Sequence, residues 1–94
     1  MFVVVSDVKI KPDSLDEFKQ WFSEANKVVS KFDGFISRRL LETKDGQHRV
    51  LVEFENLEKF GQMHQSPDHE ELHKKASSFM EQPPSPKFYN VVAQ

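Results

Sequence analysis

Apolar residues in the first half of the chain follow a strand period and then a helix period. Residues 2–10 alternate, with apolar residues on both faces at the start, which predicts a strand with two apolar surfaces. Helical spacing follows over residues 15–32, preceded by a serine-to-glutamate capping box at residues 14–17. Gly34 stands where a left-handed residue would end the helix, and residues 35–42 predict a second strand. The first half therefore predicts strand, helix, strand.

The second half of the chain repeats this order. After a tight Asp-Gly turn, alternation over residues 50–54 predicts a third strand. Asn56 offers an N-cap for a helix that breaks and restarts at Ser66-Pro67, where a capping serine precedes proline in the first helical position. A proline-rich link follows, and residues 88–92 predict a last strand.

This order of elements predicts a fold. Two right-handed βαβ halves joined by a hairpin form an α+β, ferredoxin-like fold, in which a four-stranded antiparallel sheet carries its helices on one face. The length of 94 residues suits one domain over residues 1–94. Val3, Val5 and Leu51 point to the other sheet face, where they would leave an apolar patch in water. We therefore predict a homodimer that forms through the open sheet face.

Composition and charge narrow the classes of partner. Hydrophobic residues make up 37% of the chain and charged residues 30%, with a formal net charge of −2. Because there is no basic stripe for phosphates, we expect neither nucleic acid nor an anionic membrane as a partner. Without cysteine there is no disulfide, thiolate metal site or cysteine nucleophile. The apolar run at residues 1–5 is too short for a signal peptide or membrane span, so we expect a cytoplasmic location.

The restarted helix carries the candidate chemistry. One stripe of this helix combines two histidines with apolar residues, namely His69, Leu72, His73, Ala76 and Met80. Residues 69–73 also spell HExxH, the motif in which two histidines hold zinc beside a glutamate base. That site needs a third ligand, and Glu81, the only later acidic residue, lies about two turns further along the same helix. We interpret the motif as a coincidence.

The whole pattern resembles the antibiotic biosynthesis monooxygenase (ABM) domains, a family that includes small haem-degrading monooxygenases. The resemblance rests on residues 1–12 leading into an aromatic-rich helix, on Asp33-Gly34-Phe35 opening the second strand, and on VEFEN at residues 52–56 followed by FGQMHQSP at residues 60–67. It implies a dimeric α+β barrel. It also implies a monooxygenase that acts on a small aromatic, quinol-like or haem-type ligand in a pocket between sheet and helices.

The resemblance also implies site residues. Haem-degrading members use an asparagine on the first strand, a tryptophan on the second helix and a histidine after the helix restarts, and the matching positions here are Ser6, Met63 and His73. His73 would ligate the haem iron if haem binds, and Met63 and His64 would line the cofactor pocket. In members without a cofactor the substrate's own electron-rich ring activates oxygen, so His73 or His64 would serve as the acid/base group beside Ser6.

Each candidate has a structural alternative. His73 is also explained as a core-edge histidine bonded to backbone, and Met63 as core filling. Arg38 and Arg39 point to opposite faces of a strand, where one could hold a carboxylate, but a solvated surface pair is the simpler interpretation. For the whole protein, the alternative is a non-catalytic small-ligand or haem-binding protein of the same fold.

Overall fold

The computed structural model describes all 94 residues and contains a four-stranded antiparallel sheet in the order β2-β3-β1-β4. Three helices pack on one face of this sheet, which confirms the ferredoxin-like prediction and the break in the second helix. The elements are β1 (Phe2–Val8), α1 (Leu15–Val29), β2 (Phe35–Glu42), β3 (His48–Phe54), α2 (Leu57–His64), α3 (Pro67–Ser78) and β4 (Ser85–Asn90), with a 3-10 turn at Pro12–Ser14 before α1.

The core lies between the sheet and the helices, and it has two parts. One part is built around Phe54 and contains Phe2, Val4, Val29, Phe60 and Met63, while the other surrounds Phe18 and contains Val8, Ile10, Phe22, Val50 and Phe79. Helices α1 and α2 bury side chains in this core, but α3 buries none of its residues completely. Helix α3 therefore contributes least of the three helices to the buried core.

The caps of the broken helix form as the sequence predicts. The Asn56 side chain accepts a hydrogen bond from the Lys59 backbone N–H at 2.9 Å and begins α2. The Ser66 hydroxyl accepts one from the His69 backbone N–H at 3.1 Å, and Pro67 occupies the first position of α3. Each cap satisfies a backbone N–H that the first helical turn would otherwise leave without a partner.

The predicted ends of α1 are wrong. Ser14 makes no side-chain cap, because it ends a 3-10 turn at φ −110° and ψ 1° rather than having the extended backbone that a capping serine requires. The helix ends at Val29, with Ser30 as its C-cap, instead of running to residue 32. Gly34 has the expected positive φ of 84°, but it belongs to the turn into β2 and does not cap the helix.

The first and last strands also differ from their predicted bounds. Strand β1 ends at Val8, although Ile10 still forms an isolated bridge with Met80. Strand β4 begins at Ser85, inside the predicted proline-rich link, and pairs along β1 with Pro86 opposite Ser6. Proline is tolerated there because β4 is an edge strand and needs no N–H donor on its open side.

The sheet face that points away from the helices contains the three residues on which the dimer prediction rests. Val3, Val5 and Leu51 are partly exposed there, and strand pairing places Val3 next to Tyr89 and Val5 next to Leu51. Ion pairs flank this apolar strip, with Arg39 3.0 Å from Glu53 and Arg49 2.7 Å from Asp7.

None of the helices is long and apolar enough to cross a membrane.

Candidate functional site

A cavity of about 310 Å³ opens between the inner face of the sheet and helices α2 and α3. Most of its lining is apolar, from residues such as Val4, Val50, Val52, Phe60, Leu72 and Phe88. Five polar side chains also line it, namely Ser6, Arg38, His64, His69 and His73. A largely apolar cavity with a few converging polar groups is the usual form of a small-molecule site.

The broken helix brings the histidines to this cavity. Because α3 restarts at Ser66-Pro67, its stripe of His69, Leu72, His73 and Ala76 faces the sheet, and all four residues line the cavity. Met80, beyond the end of α3, lines it as well. The residues that helical spacing groups on one stripe therefore lie along one wall of the cavity.

All four predicted site residues reach the same cavity. Ser6 comes from β1, where it is the polar residue among inward-facing valines and lies between Val50 and Pro86 of the neighbouring strands. Met63 lines the cavity while its side chain is buried in the core, so it is also the core filler of the alternative interpretation. His64 and His73 are exposed as well as cavity-lining, which places them at its opening.

Three imidazole rings form a row along the helical wall. The ring centroids of His64 and His69 are 4.4 Å apart, and those of His69 and His73 are 6.1 Å apart. Burial, together with the proximity of His64, His73 and Arg38, lowers the pKa of His69 to about 4. His69 is therefore neutral at pH 7, and one of its two ring nitrogens can accept a hydrogen bond.

Arg38 is a site residue that the sequence interpretation set aside as half of a solvated surface pair. It lies on the helix-facing side of β2 and lines the cavity, whereas Arg39 points to the opposite face and pairs with Glu53. The prediction of a solvated surface pair is therefore right for Arg39 and wrong for Arg38. Residues two apart on a strand share a face, so Arg38 lies on the same face as Leu40, which packs against the core; the sequence alone does not distinguish Leu40 from Leu41.

The HExxH residues do not form a metal site. The rings of His69 and His73 are stacked, with planes 20° from parallel. Glu81 forms an ion pair with Lys9 at 3.6 Å, and no three His, Cys, Asp or Glu side chains are grouped to hold a metal ion. The motif in this chain contributes two cavity-lining histidines and no third ligand.

Haem fits these residues poorly. A histidine that ligates iron normally donates its second ring N–H to an acceptor that fixes the ring, yet the only imidazole bonded to another side chain is that of His48, 2.7 Å from Glu42. The His73 ring has no such acceptor. The cavity is also at the small end of the roughly 300–1,000 Å³ found for ligand sites, which suits a ligand of two or three fused rings better than a porphyrin.

The sequence places the chain in a family. The model of the antibiotic biosynthesis monooxygenase family matches residues 1–75, and the chain belongs to that family. No curated protein sequence matches it. The family match covers both core helices, the restart at Ser66-Pro67 and the cavity histidines, so it includes most of the site described above.

Solved structures share the fold over nearly the whole chain. SnoaB, a cofactor-independent oxygenase from Streptomyces nogalater, is 12% identical with a TM-score of 0.87, and the match covers 99% of this chain and 94% of SnoaB. A monooxygenase from the gene ActVA-Orf6 of Streptomyces coelicolor, solved in complex with the ligand nanaomycin D, is 19% identical with a TM-score of 0.86, and the match covers 99% of this chain and 88% of that chain. A conserved protein from Methanosarcina mazei is 18% identical with a TM-score of 0.85, and the match covers 95% of this chain and 90% of that chain. At these identities the likeness shows the fold alone.

Proposed function

We propose that this protein is a monooxygenase that oxidises a small aromatic, quinol-like substrate inside the cavity. The observation that carries the proposal is the cavity itself, whose apolar walls surround a small set of polar groups on β1, β2, α2 and α3. Two structurally similar proteins support it, one a cofactor-independent oxygenase and the other a monooxygenase in complex with nanaomycin D.

In the proposed reaction the substrate supplies the electrons, and the protein supplies only a binding cavity and one base. An electron-rich substrate gives electrons to oxygen directly once it has lost a proton. One oxygen atom then enters the substrate and the other leaves as water, with the substrate supplying all the electrons. The cavity would hold the ring, exclude water and place one base near the acidic proton.

The cavity residues take distinct roles in this proposal. His73 is the proposed acid/base group, because it lines the cavity and is exposed, so it can exchange its proton with solvent. The Ser6 hydroxyl on the opposite wall would hold a substrate oxygen by a hydrogen bond. Met63 and His64 would contact the ring, the first as an adaptable apolar surface.

Oxygen consumption tests the proposal. Purified protein is given a panel of naphthoquinols and anthrones, with the uncatalysed rate subtracted. We expect turnover that His73→Ala lowers by about 10²- to 10⁴-fold, as removal of a general acid or base does. His48→Ala is the matched control, because this histidine bonds Glu42 on the sheet and does not line the cavity.

Failure of turnover has a defined meaning. If the protein binds these compounds but consumes no oxygen, it is a binding protein of the same fold, and the monooxygenase proposal is wrong. The haem-type ligand that the sequence predicted is tested by the visible spectrum after haem addition. A histidine-type Soret band that is lost in His73→Ala would establish that His73 ligates haem and would contradict the poor fit described above.

The homodimer and the cytoplasmic location remain proposals. The partly exposed strip of Val3, Val5 and Leu51 supports a dimer formed through the open sheet face, as the family's α+β barrel implies. Each of these side chains would contribute up to roughly 1.5–3 kcal/mol when fully buried. Sedimentation at micromolar concentration tests the dimer, and imaging of a tagged chain in its own host tests the location.

A further inference from the structure

The cavity contains a guanidinium group that has no acidic partner. The arginine–carboxylate pairs of this structure are those of Arg39 with Glu53 and Arg49 with Asp7, both on the other sheet face. Arg38 instead donates from Nη1 to the Asn26 Oδ1 at 2.7 Å, and its Cζ lies 4.0 Å from the Phe22 ring centroid. Its only polar contact is thus with a neutral amide.

Asn26 fixes the position of this guanidinium. While its Oδ1 accepts from Nη1, its Nδ2 donates to the backbone oxygen of Arg38 at 2.8 Å, so one side chain holds both ends of the arginine. A guanidinium has five N–H donors, and Asn26 occupies one of them. Arg38 Nε and Nη2 bond to no other side chain, and no buried side-chain nitrogen or oxygen lacks a partner, so these two nitrogens are accessible on a residue that lines the cavity.

All of the titratable side chains that line the cavity are basic. No aspartate or glutamate lines it, and its other titratable side chains are His64, His69 and His73. Burial lowers the pKa of Arg38 to about 10, which still leaves it charged at neutral pH. A partly desolvated cation without a counter-ion attracts an anion strongly, because the surrounding apolar walls weaken screening.

We propose that the cavity selects aromatic ligands that carry a carboxylate, and that Arg38 binds this group. The planar fork of N–H donors matches the two oxygens of a carboxylate, and the apolar walls accommodate the ring. This inference deepens the proposed function by naming the substrate class as an aromatic acid. Arg38 would bind and orient the substrate, while the histidine wall faces the ring.

Two ligands of equal shape and different charge test the inference. We expect 2-naphthoate to bind the parent protein about 10- to 100-fold more tightly than 2-naphthamide in calorimetry at pH 7, since a charge-assisted pair is stronger than a neutral one. Arg38→Gln, which keeps an amide for Asn26 but removes the charge, should abolish that preference. Arg38→Lys, which keeps the charge but not the fork, should restore part of it.

Arg39→Gln is the matched control. It removes the same charge from the adjacent residue on the other sheet face, so the preference for naphthoate should persist. Thermal unfolding shows whether each variant is folded, and the comparison of the two ligands on the parent needs no variant. Equal binding of both ligands, or binding of neither, overturns the inference.

The outcome can be separated from that of the proposed function. If naphthoate is preferred through Arg38 and neither uncharged quinols nor quinols that carry a carboxylate are oxidised, the monooxygenase proposal fails while the carboxylate site stands. If uncharged quinols are oxidised and Arg38→Gln leaves their turnover and the binding of both naphthalenes unchanged, the proposed function stands and this inference fails.

Discussion

Gly34→Ala should destabilise the protein more than its backbone conformation alone explains. Gly34 has φ 84°, and a Cβ built there would lie 2.5 Å from Lys59 Cδ and 2.8 Å from Lys59 Cβ. Gly46 has a similar φ of 88°, yet a Cβ there meets nothing within 4 Å. The two glycines therefore share the backbone strain and differ in the close approach of a neighbouring side chain.

The magnitudes follow from these two causes. A left-handed conformation costs a residue with a Cβ about 1–2 kcal/mol, and the stiffer unfolded chain returns about 0.4–1 kcal/mol, so Gly46→Ala should cost about 1 kcal/mol. Overpacking adds about 1–3 kcal/mol, so Gly34→Ala should cost about 2–4 kcal/mol. The Cβ of Lys59 cannot swing away as the end of its side chain can, which makes the second cause unavoidable.

Urea unfolding at one fixed protein concentration measures both variants. Equal losses of unfolding free energy for Gly34→Ala and Gly46→Ala would refute the role of the contact with Lys59. The double variant with Lys59→Ala gives a further check, because it removes the contact to Cδ but keeps the contact to Cβ. The cost of Gly34→Ala should then be reduced but not abolished.

Three other perturbations have defined outcomes. Val5→Lys places a charge on the open sheet face and should convert the proposed dimer to a less stable monomer, which sedimentation would detect; a parent that is already monomeric at micromolar concentration contradicts this. His69 has a folded pKa of about 4, below its unfolded value. The stability that the protein gains from neutral His69 is therefore complete above about pH 6.5 and is lost as the pH falls toward 4. His69→Gln should remove about 1–2 kcal/mol of this acid sensitivity after allowance for solvent screening, as measured by urea unfolding at several pH values; an unchanged pH profile contradicts it. Ser66→Ala should lower the unfolding free energy by about 0.5–2 kcal/mol, because it removes the cap on α3. It should also weaken naphthoate binding. Undiminished binding would show that the cap does not organise the histidine wall.

The sequence predicted the fold well because the signals for it are local. Alternation located the strands, helical spacing located the helices, and Asn56 and Ser66 marked two helix starts that the structure confirms. The errors occur where a distant or preceding element determines the backbone angles of a residue or the start of a strand. Ser14 failed as a cap because the 3-10 turn before it sets its backbone angles, and β4 starts early because its edge position tolerates Pro86.

The site was predicted in part for a related reason. Helical spacing identified the histidine stripe, and the family resemblance pointed to Ser6 and Met63, all of which line one cavity. Arg38 was set aside in favour of a solvated surface pair, because periodicity says that Arg38 and Arg39 occupy opposite faces and not what lies opposite each of them. Only the packed structure shows that Asn26 of α1 reaches Arg38 and that no acidic residue shares its cavity.

The loose packing of α3 has a consequence for how a ligand reaches the cavity. The helix forms one wall, yet none of its residues is fully buried, so moving it away from the sheet disrupts less of the core than moving α1 or α2 would. Its backbone amides should therefore exchange with deuterium through local opening far below the free energy of global unfolding, while those of β1 and β3 exchange only by global unfolding. A bound ligand would slow exchange in α3 first, because it can enter and leave while the sheet stays intact.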